Sequence, residues 1–312
     1  MIMTKLFLKI GLLVFLVATI WLLLFLFFPK PAPAQDSVYE AAILDKHRLL
    51  KTSSPPRLIF IGGSGLAFGL DSPLIEKEMG VRVVNMGLHG GFGLRYVLSE
   101  VRPFIGKGDV VIVITDYEQF FGSTFDGGAE LAVIAMRFPE CRQYITSWKQ
   151  YVTIIKNSPY AIRASLYNFL SHQLFSTSFA YCRFAFNANG DSLGHLNKEP
   201  PGGAAFNPLM INGHFNPEAV AALNDLAGYV HKRGARIFLI YTALEEKTYR
   251  ADEKEINLLA RIFKKELKVP ILGGPSEDIF TEDYFYDLPS HLNARGREIR
   301  TQRVITRLKS VL

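Results

Sequence analysis

The sequence predicts an α/β fold in which a parallel sheet of five strands carries helices on both faces, preceded by an N-terminal transmembrane helix. Two observations lead to this prediction. Short apolar runs alternate with helical segments along most of the chain, and an uncharged apolar stretch precedes them all. Parallel strands need crossover connections, which helices usually provide. The predicted architecture is therefore a flavodoxin-like three-layer sandwich on a membrane anchor.

The predicted strands are short and apolar, at 57–61, 81–85, 109–114, 236–241 and 269–272. Helix starts are predicted where a polar cap precedes a proline, at Asp71-Ser72-Pro73 and at Asn216-Pro217. Because the carboxyl ends of parallel strands share one edge of the sheet, ligands bind at that edge. Polar residues that follow a strand are therefore the candidates for a functional site.

Composition and charge exclude several classes of protein. Lysine and arginine number 35 against 29 acidic residues, a formal charge of +6 over 312 residues, with no dense basic run, so no nucleic-acid partner is expected. A hydrophobic content of 49% excludes intrinsic disorder. Two cysteines, Cys141 and Cys182, are too few for a four-cysteine zinc site or a disulfide scaffold. They either pair with each other or remain buried thiols, and no metal or cofactor is expected.

Near the N-terminus, the 19 residues from Ile10 to Phe28 carry no charge and are rich in Leu, Phe and Val. As a helix they would be about 28 Å long, close to the hydrocarbon thickness of a bilayer. Lys5 and Lys9 precede this stretch, which predicts a cytoplasmic N-terminus over residues 1–9. The sequence thus predicts a single-pass anchor at 10–28.

A proline-rich spacer at 29–34 follows the anchor and belongs to a linker over 29–56. The alternative is a cleaved signal peptide that uses Ala32-Pro-Ala34 as its cleavage site, although its apolar core should be only about 7–15 residues long. Both alternatives place residues 35–312 outside the cytoplasmic membrane. The expected location is the cell inner membrane, with the main domain periplasmic or extracellular.

An insertion of about 100 residues, roughly 118–215, separates the third and fourth predicted strands. Its first part is predicted to be helical, and its second part, 187–216, is rich in Gly, Asn and Pro and is predicted to be a loop. His195 and His214 lie in this loop and are expected to be exposed to solvent. An insertion at this point would cover the carboxyl ends of the strands.

Ser64 follows the first strand directly and lies between glycines, in Gly62-Gly63-Ser64-Gly65. Glycines permit a tight turn and let backbone N–H groups approach a substrate oxygen. The serine is therefore a candidate nucleophile, and the alternatives are a plain turn or a phosphate cradle. A dinucleotide site is disfavoured because Phe68 replaces the third glycine and Asn85 replaces the acidic ribose partner.

His291 lies just before the last predicted helix, with Asp287 four residues earlier. A histidine with a neighbouring carboxylate can act as a general base and its orienting acid. Ser64, His291 and Asp287 all fall at the predicted ligand-binding edge. The sequence therefore predicts that the serine hydroxyl meets the imidazole.

These motifs resemble those of the SGNH (GDSL-type) hydrolase superfamily. The resemblance lies in Gly-Gly-Ser64-Gly after strand one, Asn85-Met-Gly87 after strand two, and Asp287 to His291-Leu-Asn before the last helix. It is closest to the membrane-anchored relatives associated with acylation of bacterial cell-surface polysaccharides. It covers about 57–122 and 236–310, within an SGNH-like domain at 57–312.

The resemblance implies a role for each matching residue. Ser64 would be the nucleophile, His291 the base and Asp287 its acid. The oxyanion hole would use backbone N–H groups at Ser64, Gly65 and Gly87. Asn85, His89, Glu118 and Gln119 are candidates for the surrounding pocket.

The sequence departs from the family pattern in two places. The family ends its third strand with Gly-x-Asn-Asp, whose asparagine completes the oxyanion hole, and the corresponding stretch here, 114–119, has no asparagine. Loss of one such donor typically costs about 10²–10³ in rate, unless Gln119 or Asn85 replaces it. The family acid commonly lies three residues before the histidine, where this chain has Leu288. Pro289 could reshape the turn so that Asp287 reaches the ring, with Asp283 as the alternative acid.

Asp116 and Glu118 follow the third strand as a pair of carboxylates. No His or Asp cluster accompanies them, so capping or sugar contacts are favoured over a metal site. The predicted function is an extracytoplasmic serine esterase or O-acyltransferase that acts on an acyl ester of a cell-surface polysaccharide. The alternative is a catalytically inactive, SGNH-like, membrane-anchored protein that binds glycan or works with polysaccharide-assembly proteins.

Overall fold

The structure is a computed structural model that describes residues 2–27, 38–171, 179–199 and 211–312. The helices are α1 (Ile2–Phe27), α2 (Ala42–Thr52), α3 (Ser64–Gly69), α4 (Ser72–Met79), α5 (Leu94–Val101), α6 (Ala129–Arg137), α7 (Trp148–Ser171), α8 (Pro217–Lys232), α9 (Glu246–Ala251), α10 (Glu253–Glu266) and α11 (Ala294–Lys309). The strands are β1 (Arg57–Gly62), β2 (Arg82–Asn85), β3 (Val110–Ile114), β4 (Arg236–Leu239), β5 (Leu244–Glu245) and β6 (Ile279–Phe280). This order of elements confirms a mixed α/β fold.

The main sheet has four parallel strands in the order β2-β1-β3-β4. Phe60 in β1 lies between Asn85 of β2 and Ile112 of β3, and Ile112 in turn lies beside Phe238 of β4. The carboxyl ends of the strands therefore lie together at one edge, as the alternation of strands and helices predicts.

The predicted fifth strand, 269–272, forms a single bridge between Leu239 and Ile271 rather than a ladder. The Leu239 N–H donates to the Pro270 carbonyl at 2.9 Å, and the Leu272 N–H donates to the Leu239 carbonyl at 2.8 Å. The next bond of a parallel ladder would need an N–H at Pro270, and proline has none. The five-stranded prediction therefore becomes four strands and one bridge at the β4 edge.

Both faces of the sheet are buried, because alternate residues of each strand point to opposite sides. Leu58 and Phe60 pack in one cluster with Ile75 of α4 and with Val304 and Leu308 of α11. The opposite face belongs to a larger cluster that contains Ile59, Ile61, Val111, Val113, Leu50, Val97 and Leu223. Helices therefore cover the sheet on both sides.

The predicted caps are present where the sequence places them. The Asp71 carboxylate accepts from the Leu74 N–H at the start of α4, and the Asn216 side chain accepts from the Glu218 N–H at the start of α8. Gly80 ends α4 with φ +67°, a left-handed conformation that favours glycine. These local signals fix where the helices around the sheet begin and end.

The insertion between β3 and α8 combines helices with a tightly bound loop. Helices α6 and α7 pack against each other in its first part. The described part of the predicted loop, 187–199, binds to the sheet domain, whereas 200–210 lies outside the described residues. The carboxylate of Asp191, fully buried, accepts from the Ser72 N–H at 2.8 Å, from Asn85 Nδ2 at 2.8 Å and from Arg297 Nη2 at 3.3 Å. This one side chain ties the insertion to β2, α4 and α11.

Helix α1 begins at Ile2, so it extends N-terminal of the predicted anchor at 10–28 and contains Lys5 and Lys9. Residues Met3–Leu23 are long and apolar enough to span a membrane, by length and composition. The predicted spacer at 29–34 and residue 28 lie outside the described residues. Cys141 and Cys182 are both buried and no disulfide joins them, so of the two predicted alternatives the structure has buried thiols.

Candidate active site

Ser64 is the first residue of α3, and one glycine, Gly63, separates it from Gly62 at the end of β1. A Cβ atom on Gly62 would lie 1.7 Å from the Ile114 carbonyl oxygen, and one on Gly63 would lie 2.3 Å from Asp116 Oδ2. Both positions therefore need glycine so that β1 can pass close to the end of β3. The close approach leaves Ser64 at the carboxyl edge of the sheet.

The imidazole of His291 lies against Ser64, although 227 positions separate the two residues. His291 Nε2 is 2.8 Å from Ser64 Oγ, and His291 is only 1% exposed. The Phe68 ring stacks on the imidazole at a centroid distance of 4.1 Å. The structure thus brings together the two side chains that the sequence predicts to meet, and packing fixes the plane of the imidazole.

A narrow turn carries both His291 and Asp287. The Tyr286 N–H donates to the His291 carbonyl at 2.8 Å, and the His291 N–H donates to the Leu288 carbonyl at 3.0 Å. In this turn Asp287 Oδ1 lies 2.9 Å from His291 Nδ1, so the acid reaches the ring from four positions back. Asp283, the alternative acid, instead contacts Thr281 and Arg295 at the surface.

Tyr181 is a site residue that the sequence did not indicate. Its hydroxyl donates to Asp287 Oδ2 and lies 3.2 Å from His291 Nδ1. Burial raises the pKa of Asp287, but the hydrogen bonds from His291 and Tyr181 outweigh burial and hold that pKa below its usual range. Asp287 is therefore a carboxylate at neutral pH. Tyr181 comes from the insertion, and no local motif distinguishes it from the other tyrosines there.

His195 was expected to be exposed to solvent, and this expectation is wrong. It is 1% exposed, its Nε2 lies 3.0 Å from the Leu292 carbonyl, and its ring packs on Phe68 at 4.4 Å. Burial lowers the pKa of His195 to about 4. His195 is thus a neutral packing residue behind the imidazole of His291. His214, in contrast, is exposed as expected.

Gly87, predicted to donate to an oxyanion, uses its N–H elsewhere. This N–H donates to Asn85 Oδ1 at 2.9 Å. A Cβ on Gly87 would lie 2.7 Å from Leu66 Cγ and 2.8 Å from the Ala67 N atom, so the glycine is needed for close packing against α3. In this conformation Gly87 supports the turn that carries Ser64 rather than offering a donor.

Other backbone N–H groups lie at the turn that carries Ser64. Those of Ser64 and Gly65 are in the first turn of α3, where no carbonyl of the helix accepts from them. The Gly90 N atom would be 3.3 Å from a Cβ on Gly63, and its N–H has no acceptor in the part of the chain that the structure describes. Gly90 is therefore a donor candidate that the sequence motifs do not indicate.

The Asp116 carboxyl occupies the place beside the serine turn where a side-chain donor is expected. Besides its approach to Gly63, its Oδ1 would lie 3.3 Å from a Cβ on Gly65, and its Oδ2 would lie 3.1 Å from one on Gly90. Burial raises the pKa of Asp116, and the rings of His291 and His89 offset only part of this effect. Burial likewise raises the pKa of the neighbouring Glu118 to about 7.

A cavity of about 710 Å³ opens in front of Ser64 and His291, within the range usual for small-molecule sites. His89 lines it, as predicted. Most of the lining is aromatic or apolar, and among the described residues it includes Val38, Tyr39, Val133, Tyr160, Ala164, Tyr167, Tyr181 and Leu288. The site can therefore admit a substrate with a substantial apolar part.

Three of the predicted pocket residues, Asn85, Glu118 and Gln119, do not line this cavity. Asn85 is fully buried and bridges Gly87 and Asp191. Gln119 accepts from the Leu94 N–H at 2.6 Å and donates to the Gly90 carbonyl at 3.0 Å. The Asn85 amide is occupied by Gly87 and Asp191 and the Gln119 amide by loop backbone, so these two side chains shape the site from behind.

Within the described ranges, no group of three or more His, Cys, Asp or Glu side chains is arranged to hold a metal ion. Comparison of the sequence with protein-family models and with curated proteins gave no match. The interpretation of the site therefore depends on its own geometry.

Proposed function

We propose that this chain is a membrane-anchored serine esterase or O-acyltransferase of the SGNH type that acts on an acyl ester of a cell-surface polysaccharide. The observation that carries the proposal is the chain of hydrogen bonds from Ser64 through His291 to Asp287, at 2.8 and 2.9 Å, in front of a cavity. A serine within reach of an oriented imidazole is the arrangement expected of an activated nucleophile.

In the first half-reaction, Ser64 Oγ attacks the carbonyl carbon of an ester while His291 Nε2 takes the hydroxyl proton. The tetrahedral intermediate then collapses, His291 returns the proton to the leaving alcohol, and the acyl group remains on Ser64. In the second half-reaction, His291 Nε2 takes a proton from water or a sugar hydroxyl, whose oxygen attacks the acyl carbon. The second tetrahedral intermediate collapses, His291 returns the proton to Ser64 Oγ, and the free acid or the new sugar ester leaves. The Asp287 carboxylate stabilises the imidazolium in both halves.

The oxyanion of each intermediate needs donors beside Ser64. The N–H groups of Ser64, Gly65 and Gly90 supply backbone candidates. Asp116 supplies a side-chain candidate, because a carboxyl group with a raised pKa can keep its proton and donate a hydrogen bond. In this proposal Asp116 takes the role that the asparagine has in the family pattern.

Two further features support the SGNH-type proposal. The bridge between Leu239 and Ile271 lies at the β4 edge, where a fifth strand would extend the sheet into a flavodoxin-like sandwich. Helix α1 supports anchoring in the cell inner membrane with a cytoplasmic N-terminus, which would hold the site near polymer at the membrane surface.

Covalent labelling of the full chain in detergent tests the proposal. A fluorophosphonate should label one serine, and an activated acetyl ester should be hydrolysed. Ser64→Ala should abolish both the label and the turnover, whereas the control Ser310→Ala, at the exposed end of α11, should change neither. Absence of label and turnover in the unaltered chain would contradict the proposal.

A second candidate function is that of an inactive, glycan-binding or assembly protein. The bond between the Gly87 N–H and Asn85 favours it, because the donor expected from the family pattern is occupied. In that case polysaccharide binding should persist in Ser64→Ala and in His291→Ala, and the unaltered chain should show no turnover. Binding that depends on a trapped acyl-enzyme would instead favour the enzyme.

A further inference from the structure

Helix α7 exposes a stripe of large apolar side chains that nothing in the described structure covers. We define the α7 face as Trp148, Tyr151, Val152, Ile155 and Leu166, which are 71, 53, 37, 71 and 46% exposed. The first four follow the i, i+3, i+4, i+7 spacing of one helix face. The adjoining side of α7 is buried. An apolar stripe left in water costs free energy, so such a surface indicates an interaction site.

The membrane helix meets α7 beside this face. Trp21 Nε1 donates to Ser158 Oγ at 2.8 Å, and Ser158 is three positions after Ile155. Trp21 lies seven residues before the end of the uncharged apolar stretch 10–28, which is about 10 Å along a helix. Helices that lie in a bilayer surface bury their apolar face by about 5–10 Å. The contact therefore places α7 beside the outer part of the span, at the depth expected of such a helix.

The composition of α7 is typical of a helix at the membrane interface. Its charged residues are all basic, namely Lys149, Lys156 and Arg163, with no acidic residue in the helix. Trp and Tyr on the exposed face are the side chains enriched at membrane interfaces. A helix with basic residues beside an apolar face rich in aromatics is typical of helices that lie in the plane of an anionic bilayer surface.

We propose that the α7 face lies in the headgroup layer of the bilayer that α1 spans. This inference rests on the anchoring part of the proposed function and does not depend on the chemistry of Ser64. Tyr160, Ala164 and Tyr167 of the same helix line the cavity in front of Ser64. The cavity therefore opens at the lipid surface, where it receives an acyl ester carried by a membrane amphiphile.

The two tryptophans of the chain, Trp21 and Trp148, allow a direct test. Full chain with Trp21→Phe is placed in phosphatidylcholine–phosphatidylglycerol vesicles with or without bromine on the acyl chains. Trp148 fluorescence should fall by roughly half in the brominated vesicles, because such a helix face is buried about 5–10 Å into the interface. The Trp148→Phe chain reports Trp21 in the same vesicles and measures insertion of α1.

A matched pair of variants completes the test. In the Trp21→Phe chain, Tyr151→Asp with Ile155→Asp should remove the quenching of Trp148 and leave hydrolysis of a water-soluble ester unchanged. Leu258→Asp, at a comparably exposed leucine on α10, should leave the quenching intact.

The possible results separate this inference from the proposed function. Quenching of Trp21 without quenching of Trp148 overturns the inference and leaves the anchor standing, as would be found if a second copy of the chain covered the α7 face. Lack of quenching at both tryptophans overturns the anchor and the inference together. Quenching of both in a chain without esterase activity supports the inference and contradicts the enzymatic proposal.

Discussion

The hydroxyl of Tyr181 donates to the carboxylate of Asp287 on the oxygen that His291 does not use. The carboxylate thus has a donor on each oxygen, and both bonds favour its charged form. Tyr181 comes from the insertion, whereas Asp287 and His291 come from the turn before α11. The insertion therefore takes part in orienting the imidazole.

Tyr181→Phe should weaken activity most on the acid side of the pH profile. Without the hydroxyl the pKa of Asp287 rises, so the carboxylate loses its charge at a higher pH as the solution is acidified. A hydrogen bond to a charged group is worth about 1.5–3 kcal/mol, which corresponds to a shift of roughly one to two pH units. Ester hydrolysis measured between acidic and neutral pH checks this, with the exposed Tyr151→Phe as control. An unchanged acid limb would contradict the role of Tyr181.

Asp287→Asn should lower the turnover number by about 10²–10⁴, because the imidazolium loses its carboxylate partner. Asp283→Asn should leave turnover within about twofold, since Asp283 does not contact the ring. Steady-state kinetics on the same activated ester compare the two variants. Equal losses would show that Asp287 is not the acid.

Asp116 should limit activity on the alkaline side of the pH profile, opposite to the acid-side limit that Asp287 sets. In the proposed mechanism a protonated Asp116 donates to the oxyanion. Burial raises the pKa of Asp116, so activity should fall as the pH rises through that pKa. Asp116→Asn keeps a donor at every pH and should remove this fall. Asp116→Ala should cost about 10²–10³ throughout. If Asp116→Asn retains the alkaline fall, another group is responsible.

Gly87→Ala should destabilise the protein and displace the turn that carries Ser64. The added Cβ would lie 2.7 Å from Leu66 and 2.9 Å from the Gly63 carbonyl oxygen, so the backbone around Ser64 must move, at a cost of about 1–3 kcal/mol. Gly228→Ala is the control, because no atom lies within 4 Å of its added Cβ. In helix α8 that change should stabilise by up to about 1 kcal/mol. Urea unfolding, with labelling of Ser64, measures both effects, and equal stability of the two variants would contradict the packing argument.

Much of the fold could be predicted because its signals are local. The caps at Asp71 and Asn216 follow from their positions before prolines, and four of the five strands follow from apolar runs. The fifth predicted strand forms only one bridge. An apolar run does not show which residues lack a backbone N–H, and Pro270 lacks one. Helix α1 extends beyond the predicted anchor as far as Ile2, because lysines limit a membrane span but do not end a helix.

In the candidate site, too, the features with a local sequence signal could be predicted and the others could not. The meeting of Ser64 with His291 and Asp287 could be anticipated from motifs at strand ends. The use of the Gly87 N–H by Asn85 could not, because the same residue types suit a donor to substrate and a closed turn. Tyr181 and His195 were beyond prediction, since their partners lie about 100 residues away and depend on how the insertion folds back.

The buried carboxylate of Asp191 has a consequence for engineering. The Asp191 carboxylate binds Ser72, Asn85 and Arg297 at once, so the segment between β3 and α8 cannot be removed without loss of these bonds. A shortened chain that joined β3 directly to α8 would leave the Arg297 guanidinium, the Ser72 N–H and the Asn85 amide buried without their acceptor. Grafting the serine and histidine turns onto a smaller scaffold would fail for the same reason, unless a substitute anion were supplied.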